Sequence, residues 1–210
     1  ITDGENKLLG LHVLDNYAFG ENSKKYPNSV LLMAGGRGER LMPLTENCPK
    51  PLIKINGKPL LEIILEKCIN VGLRNFYISV HYLSEQIINY FGNGEKWDIS
   101  INYLHEEKPM GTAGALSLLP QTINHPLLVM NGDLLTKINL HQFLNFHENN
   151  DADISLSGSE YSYKSPYGVL EVEGINFKSI NEKPTFKHFI NAGIYIINPS
   201  IVDTLTEKDY

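Results

Sequence analysis

The chain has 210 residues, and its 42% hydrophobic and 20% charged content is that of an ordinary globular protein of one domain or little more. A formal net charge of −6 argues against a nucleic-acid-binding surface, and no apolar run approaches the roughly 20 residues that a membrane helix needs. Because no signal peptide is visible and only two distant cysteines occur, Cys48 and Cys68, we predict a cytoplasmic protein without a nucleic-acid or membrane partner.

Predicted strands and helices alternate from Ser29 onward. In chain order the sequence predicts a strand at 30–34, a helix at 59–71, a strand at 75–80, a helix at 84–91 capped by Ser84, a strand at 99–104, a helix at 113–118, a strand at 127–130, a helix at 139–147 capped by Asn139, strands at 154–156, 168–172, 178–180 and 190–197, and a last helix from 198. This alternation predicts an α/β fold with a Rossmann-like, mostly parallel mixed sheet and helices on both faces. Ligands of such sheets bind at the carboxyl ends of the strands.

The most informative segment is a glycine-rich loop, Gly35-Gly36-Arg37-Gly38, that follows the first predicted strand and precedes Arg40 and Lys50. Glycines let backbone N–H groups approach a phosphate, and the two cations can neutralise its charge. The loop lacks the adjacent lysine of a Walker A motif and the third glycine of a dinucleotide-binding motif. A simple glycine turn is the alternative, but Arg40 and Lys50 favour a polyphosphate site of another kind.

A second candidate is Asp133, which follows the apolar strand at 127–130. A carboxylate at a strand end beside a polyphosphate suits Mg²⁺, which combines one or two carboxylates with phosphate oxygens. The alternative is an aspartate that caps a turn. The histidines do not form a metal-binding set, and no serine or cysteine has the context of a nucleophile, so we expect no covalent catalysis.

Taken together, these segments resemble the signature of the sugar-1-phosphate nucleotidyltransferases, also called nucleotide-sugar pyrophosphorylases. The resemblance covers residues 29–210 and rests on 33–41, Pro49-Lys50-Pro51, 111–115, Asn131-Gly132-Asp133, Tyr167-Gly168, Glu182-Lys183-Pro184 and 191–195. The sequence departs from the family at Glu39, where threonine is usual. An acidic side chain there is expected to weaken triphosphate binding slightly.

The resemblance implies the nucleotide-diphospho-sugar transferase fold and the reaction of an NTP with a sugar 1-phosphate to give an NDP-sugar and pyrophosphate. It implies Arg40, Lys50 and Asp133 as catalytic residues, with Asp133 also the Mg²⁺ ligand. The implied nucleotide-binding residues are Met33, Ala34, Gly35, Gly36, Glu106, Gly111 and Thr112. The implied sugar-phosphate-binding residues are Gly168, Glu182, Lys183, Asn191 and Ala192, although Glu182 and Lys183 could instead form an exposed ion pair.

The family usually has a second metal-binding aspartate beyond the strand at 190–197. Asp203 and Asp209 are candidates, but neither has the expected sequence context. We therefore expect that residues 29–210 are a catalytic domain truncated at its C-terminus, and that the second metal ligand lies beyond Tyr210. The family also implies a homo-oligomer.

The base is predicted from Glu106. Uridine- and thymidine-selective relatives often carry glutamine five residues before the glycine that Gly111 matches. A carboxylate only accepts hydrogen bonds, which suits the adjacent N1–H and 2-amino donors of guanine and opposes the carbonyl oxygens of uracil. We therefore predict GTP as the substrate. In the alternative, Glu106 pairs with Lys108 in a solvated loop.

Residues 1–28, with a turn at 1–4 and a predicted strand at 8–14, resemble the tail of a CBS regulatory module followed by a linker. The alternative is a disordered or strand-swapped leader. Three other functions stay open. The first is a regulatory homologue that binds a nucleotide sugar without turnover, and the second is a UTP- or dTTP-specific member of the family. The third is a glycosyltransferase with a D-x-D metal motif, for which Asp151-Ala152-Asp153 has the spacing, although its position before a strand favours a turn.

Overall fold

The structure is a computed structural model that describes residues 25–108, 110–120 and 123–206. Within these ranges the chain forms ten strands: β1 (Ser29–Met33), β2 (Lys54–Ile55), β3 (Lys58–Pro59), β4 (Asn75–Val80), β5 (Ser100–His105), β6 (Leu127–Asn131), β7 (Ile154–Lys164), β8 (Val169–Glu173), β9 (Asn176–Asn181) and β10 (Thr185–Ile197). The α-helices are α1 (Leu60–Val71), α2 (Ser84–Phe91), α3 (Gly111–Gly114), α4 (Leu140–Asn149) and α5 (Pro199–Thr206).

Six of these strands form a central mixed sheet in the order β5-β4-β1-β6-β10-β7. The four strands from β5 to β6 are parallel, whereas β10 is antiparallel to both β6 and β7. The predicted mostly parallel mixed sheet is therefore confirmed. Since β6 and β7 are both antiparallel to β10, which lies between them, they run in the same direction. Both begin at the same edge of the sheet, level with Ile197 of β10.

The sheet is covered on both faces, as predicted. Val30 and Leu32 point into the larger core, which α1, α2 and α4 cover, while Leu31 points into a smaller core under α5 and the 3₁₀ turn Ala115–Leu118. This alternation follows from the two-residue period of a strand, and the uninterrupted apolar run of β1 is typical of a strand buried on both faces.

Helix ends agree with the sequence in part. Gly72 ends α1 in the left-handed conformation that favours glycine, and the Asn139 side chain accepts a hydrogen bond from the Gln142 amide, as expected of an N-cap. The prediction that Ser84 caps the second helix was wrong, because Ser84 is its first residue and Leu83 occupies the N-cap. The predicted helix 113–118 is instead one turn of α-helix, Gly111–Gly114, followed by the 3₁₀ turn.

The largest differences concern β7 and β10. Predicted at 154–156 and 190–197, these strands run for 11 and 13 residues and pair as far as Lys164 with Thr185. The outer half of β7 has no buried residue, so the sequence lacks the apolar alternation by which a half-buried strand is recognised. Cross-strand aromatic contacts stabilise the extension instead, with Tyr163 stacked on Phe186 at a ring-centroid distance of 5.1 Å.

The two short hairpins, β2–β3 and β8–β9, lie outside the central sheet. Asn56 and Gly57 form the first turn, both with positive φ, and the sequence analysis missed this Asn-Gly signal.

The strand predicted at 8–14 and most of the expected regulatory tail fall outside the described residues. At the start of the described chain, the Tyr26 amide donates to the Gly72 carbonyl at 3.2 Å, and its hydroxyl contacts His141. Among the described residues, no helix is long and apolar enough to cross a membrane.

Candidate nucleotide-binding site

The site begins where three parallel strands end at one edge of the sheet. Met33, the last residue of β1, lies level with Ser79 on β4 and Asn131 on β6. The Ala34 amide donates to the Ser79 carbonyl at 3.0 Å, and the Gly132 amide donates to the Met33 carbonyl at 2.8 Å. The ladder therefore fixes the start of the glycine loop and the turn that carries Asp133.

A cavity of about 420 Å³ opens at this edge. Its lining combines the glycine loop with the two predicted cations and the predicted metal ligand: Gly36, Arg37, Gly38, Glu39, Arg40, Leu41, Lys50 and Asp133. Residues nearly a hundred positions apart in the sequence thus meet at one site. Glu39 also lines the cavity, so the departure from the family signature places a carboxylate where phosphates are expected.

Lys50 and Asp133 form an ion pair between Nζ and Oδ2. Their side chains retain 27% and 37% of their exposure, so both atoms remain accessible from the cavity. A phosphate that binds Lys50, or a cation that binds Asp133, has to replace this contact. The pair therefore couples the two ligands electrostatically, because each partner released by one ligand becomes free for the other.

The path of the loop depends on Gly38. Its φ of 66° is left-handed, and a Cβ atom there would lie 2.9 Å from Cγ2 of Thr45 and 3.1 Å from Cβ of Lys50. Buried Thr45 donates from Oγ1 to the Gly38 carbonyl at 3.0 Å. The chain then enters a 3₁₀ turn, Glu39–Leu41, that directs Arg40 to the cavity. Another turn, Lys50–Leu52, begins at Lys50.

Glu106 lies directly beyond β5 and is held at both its backbone and its side chain. Its amide donates to the Val80 carbonyl at 3.0 Å, and its carbonyl accepts from Nδ1 of His81 at 2.8 Å. Ser79 Oγ donates to Oε1, and the Met110 amide donates to Oε2 at 3.2 Å. Glu106 is therefore held beside the glycine loop, although it is outside the lining of the cavity, and its carboxylate bonds to Ser79 rather than to Lys108.

The Glu106 carboxylate rests on the glycine loop. A Cβ atom at Gly35 would lie 2.9 Å from Oε1, so a larger residue there would displace the carboxylate from its present position. Gly36 has open space around it and faces the cavity. Further along, Gly111 begins α3 with a φ of 70° and Thr112 follows in the same turn.

The predicted sugar-side residues lie on β10 and on the β8–β9 hairpin, outside the lining of this cavity. At the base of the hairpin a Cβ atom on Gly168 would lie 2.7 Å from Oε2 of Glu182, so these two residues are adjacent. Lys183 follows, exposed and with a φ of 49°. The alternative of a Glu182–Lys183 ion pair does not occur among the described contacts, since Glu182 instead lies against Gly168.

Asn191 and Ala192 lie at a bulge in β10, where the pairing with β7 shifts register. The Gly193 amide donates to Oδ1 of Asn191 at 2.9 Å. A Cβ atom on Gly193 would lie 2.5 Å from the side-chain nitrogen Nδ2 of Asn131, so the bulge contacts the segment that carries Asp133. This contact joins the sugar-side motif to the phosphate-side motif.

Two other acidic candidates lie away from the site. Asp151-Ala152-Asp153 forms the turn before β7, at the edge where β6 begins and thus opposite Asp133, and Asn198 donates to the Ala152 and Asp153 carbonyls at 2.9 Å. Asp203 lies in α5, which starts at that same far edge, and Asp209 falls outside the described residues. The turn interpretation of the D-x-D sequence is therefore correct.

The donor set at the cavity fits a magnesium ion that is shared with a ligand. Within the described residues no group of three or more His, Cys, Asp or Glu side chains could hold a metal ion. Mg²⁺ needs only one or two protein carboxylates when phosphate oxygens and waters complete its shell. Asp133 supplies one such carboxylate next to a loop suited to phosphate.

The cysteines take no part in this site. Burial raises the pKa of the Cys68 thiol to about 12, so that it remains protonated at neutral pH. Cys48 is a second free thiol and contacts the carbonyl of Pro49 at 3.7 Å.

Residues 29–210 match the family described as "Nucleotidyl transferase". The chain belongs to this nucleotidyl transferase family. The match starts at the first residue of β1 and includes every residue of the cavity.

Several relatives of the chain are named for guanylyl transfer. It is 35% identical over 186 residues to a mannose-1-phosphate guanylyltransferase catalytic subunit beta of Drosophila melanogaster, which covers 85% of this chain and 50% of the relative. It is 32% identical over 184 residues to a mannose-1-phosphate guanyltransferase of Pichia angusta, covering 83% and 50%. The chain thus spans about half the length of these relatives.

Solved structures confirm the nucleotide-diphospho-sugar transferase fold. HddC from Yersinia pseudotuberculosis, complexed with GMP-PN, superimposes with a TM-score of 0.66 at 26% identity, covering 87% of this chain and 80% of that one. A putative glucose-1-phosphate thymidylyltransferase from Bacillus anthracis gives a TM-score of 0.68 at 21% identity, covering 87% and 76%.

Two residues that position parts of this site were missed by the sequence analysis: Thr45 and Ser79. Ser79 interrupts the apolar β4 strand at the residue level with Met33, and a polar residue near the end of a buried parallel strand is a signal that could have identified it. The Thr45 hydroxyl acts through a contact with the Gly38 carbonyl that only the folded chain creates.

Gly132→Ala is expected to destabilise the nucleotidyl transferase by about 1–3 kcal/mol. A Cβ atom at Gly132 would lie 2.6 Å from the Met33 carbonyl oxygen, so one of the two strand ends has to move. Thermal unfolding measures the effect, and Gly36→Ala, where a Cβ atom meets nothing within 4 Å, is the matched control. Equal melting temperatures for both variants would show that the contact does not constrain the turn.

Proposed function

We propose that this nucleotidyl transferase converts GTP and a sugar 1-phosphate into a GDP-sugar and pyrophosphate, with residues 29–210 as the catalytic domain. The observation that carries the proposal is the meeting of Arg40, Lys50 and Asp133 at one glycine-lined cavity. The names of the relatives, mannose-1-phosphate guanylyltransferases, agree with this chemistry.

In the proposed reaction a phosphate oxygen of the sugar 1-phosphate attacks the α-phosphorus of GTP. The bond from that phosphorus to the bridging oxygen of the β-phosphate breaks, and pyrophosphate leaves with the electron pair. Negative charge concentrates on the leaving group. Arg40 and Lys50 would stabilise it, while loop amides near Gly36 orient the phosphates. Positioning and charge stabilisation account for catalysis of this type without a covalent enzyme intermediate.

The family generally uses divalent metal ions, and we propose Mg²⁺ as the ion and Asp133 as its protein ligand. When bound there, Mg²⁺ would neutralise phosphate charge next to Asp133. Once Asp133 binds Mg²⁺, Lys50 would be released from its ion pair, and its ammonium group would then be free to contact the phosphates.

Recognition of guanine is proposed for Glu106. A carboxylate has about four lone-pair sites, two on each oxygen. Ser79 occupies one on Oε1 and the Met110 amide one on Oε2, so each oxygen retains capacity for a further donor. Guanine offers two adjacent donors, N1–H and the 2-amino group, which is one donor for each carboxylate oxygen. Uracil would direct its carbonyl oxygens at the same negative charge.

The test of this assignment is base preference. We expect the full-length protein to use GTP over UTP by at least about tenfold in kcat/KM, which corresponds to about 1.4 kcal/mol and is within the range of a charged hydrogen bond. Four NTPs assayed for pyrophosphate release with several hexose 1-phosphates, mannose 1-phosphate included, measure it. A preference for UTP or dTTP would contradict the role of Glu106. Retained GTP preference in Glu106→Gln would assign recognition to another group.

The same panel distinguishes an enzyme from a regulatory homologue. A regulatory homologue would bind GTP or a GDP-sugar in calorimetry without releasing pyrophosphate from any substrate pair. The assay uses the full-length protein because this chain spans about half the length of its curated relatives. The regulatory CBS module and a homo-oligomeric assembly remain predictions from the family resemblance.

A further inference from the structure

We propose that Ser79 is a positioning residue that sets nucleotide selectivity by holding the Glu106 carboxylate in its base-reading orientation. This inference rests on the proposed function, because it concerns how the glutamate that would read guanine is oriented. Ser79 lies in β4, 27 positions before Glu106 in the chain, and its hydroxyl contacts the Glu106 carboxylate in the fold.

Ser79 is buried, so it cannot act by direct contact with a ligand. The side chain is 0% exposed, so no nucleotide can touch it. Its hydroxyl nevertheless donates to Oε1 of Glu106, whose carboxylate lies against Gly35 at the start of the glycine loop. An unpaired buried hydroxyl is costly, so the serine and the glutamate constrain each other. Any effect of Ser79 on the base must therefore pass through Glu106.

The hydroxyl supplies what the backbone contacts of Glu106 cannot. The hydrogen bonds from Glu106 to Val80 and from His81 fix its main chain but leave its side-chain torsions free. The Met110 amide holds Oε2 at 3.2 Å, from a segment that begins after the turn at 107–108. Ser79 is the contact that comes from the sheet itself. It therefore provides the rigid reference for the carboxylate.

The main chain of Ser79 also contacts the start of the glycine loop. Its carbonyl accepts the Ala34 amide at 3.0 Å, which fixes the start of the glycine loop. One residue thus sets the distance between the loop and the carboxylate, through its main chain on one side and its hydroxyl on the other. A site arranged in this way is preorganised for a base held between fixed groups.

The experiment measures the ratio of Kd for UTP to Kd for GTP by calorimetry, together with kcat and KM, on the full-length protein. We expect Ser79→Ala to lower that ratio about tenfold, through weaker GTP binding, since hydrogen bonds to a charged group are among the stronger ones. The effect is expected in KM for GTP more than in kcat, because Arg40, Lys50 and Asp133 are unchanged. Ser79→Cys, with similar volume and a weaker donor, should show a smaller loss.

Two further variants isolate the pathway. Ser155→Ala is the matched control, since Ser155 is also a buried strand serine whose hydroxyl contacts a side chain, Nδ1 of His147, at 2.9 Å. It should change stability without changing the ratio. In the Glu106→Gln background, Ser79→Ala should have much less effect on the ratio than in the wild type, because interacting residues are not additive.

The outcomes separate this inference from the proposed function. A wild-type protein that prefers UTP overturns both. A wild-type preference for GTP with an unchanged ratio in Ser79→Ala and Ser79→Cys overturns the role of Ser79 alone. An equal loss with both nucleotides also overturns it, because that is the effect of a purely structural residue. If Ser79→Ala fails to fold, the ratio in Ser79→Cys decides.

Discussion

Asp133→Asn is expected to lower turnover at saturating Mg²⁺ by at least about a hundredfold, because a neutral amide oxygen is a much weaker Mg²⁺ ligand than a carboxylate. The side chain is nearly isosteric, so the fold around the end of β6 should be preserved. Steady-state pyrophosphate release measures the loss, and a shift of the Mg²⁺ dependence to higher concentration would accompany it.

Binding without metal gives the second half of this prediction. Asp133 forms an ion pair with Lys50 and adds negative charge to the cavity. Its replacement should therefore leave GTP affinity in EDTA unchanged or increased. Asp153→Asn, on the opposite edge of the sheet, is the matched control and should be silent in both measurements. Near-wild-type turnover of Asp133→Asn would exclude Asp133 as the ligand.

The sequence predicted the parallel half of the sheet well because its signals are local. Uninterrupted apolar runs such as that of β1 identify strands buried on both faces, and Gly72 marks a helix end through a conformation that glycine favours. The chemistry followed from topology, since the residues after β1 and β6 meet at one edge whenever the strands are parallel neighbours.

The parts that failed depend on contacts between distant segments. The outer halves of β7 and β10 are stabilised by each other and by contacts such as that of Tyr163 with Phe186, so neither has a periodic pattern of its own. The carboxylate of Glu106 lies against Gly35, a contact between distant segments that the sequence could not show. The contact of Ser79 with Glu106 was missed because only the folded chain brings these two residues together.

Lys50→Ala is expected to lower kcat by about a hundredfold, with a smaller change in KM for GTP. The ammonium lines the phosphate cavity and would stabilise charge that develops on the leaving pyrophosphate. Its stem packs against Gly38, so Lys50→Met, which keeps most of that stem, is the matched variant. A similar kcat for the alanine and methionine variants attributes the loss to charge, whereas near-normal kcat for methionine would attribute it to packing.

Lys183→Ala should behave differently, because Lys183 lies beyond β9 and outside the phosphate cavity. If it binds the sugar phosphate, its loss raises KM for the sugar 1-phosphate by about tenfold or more and leaves KM for GTP nearly unchanged, since only one substrate loses a charged contact. Lys178→Ala is the control on the same hairpin, where Nζ of Lys178 pairs with Glu173 at 2.5 Å. Equal increases in both KM values for Lys183→Ala would contradict the assignment.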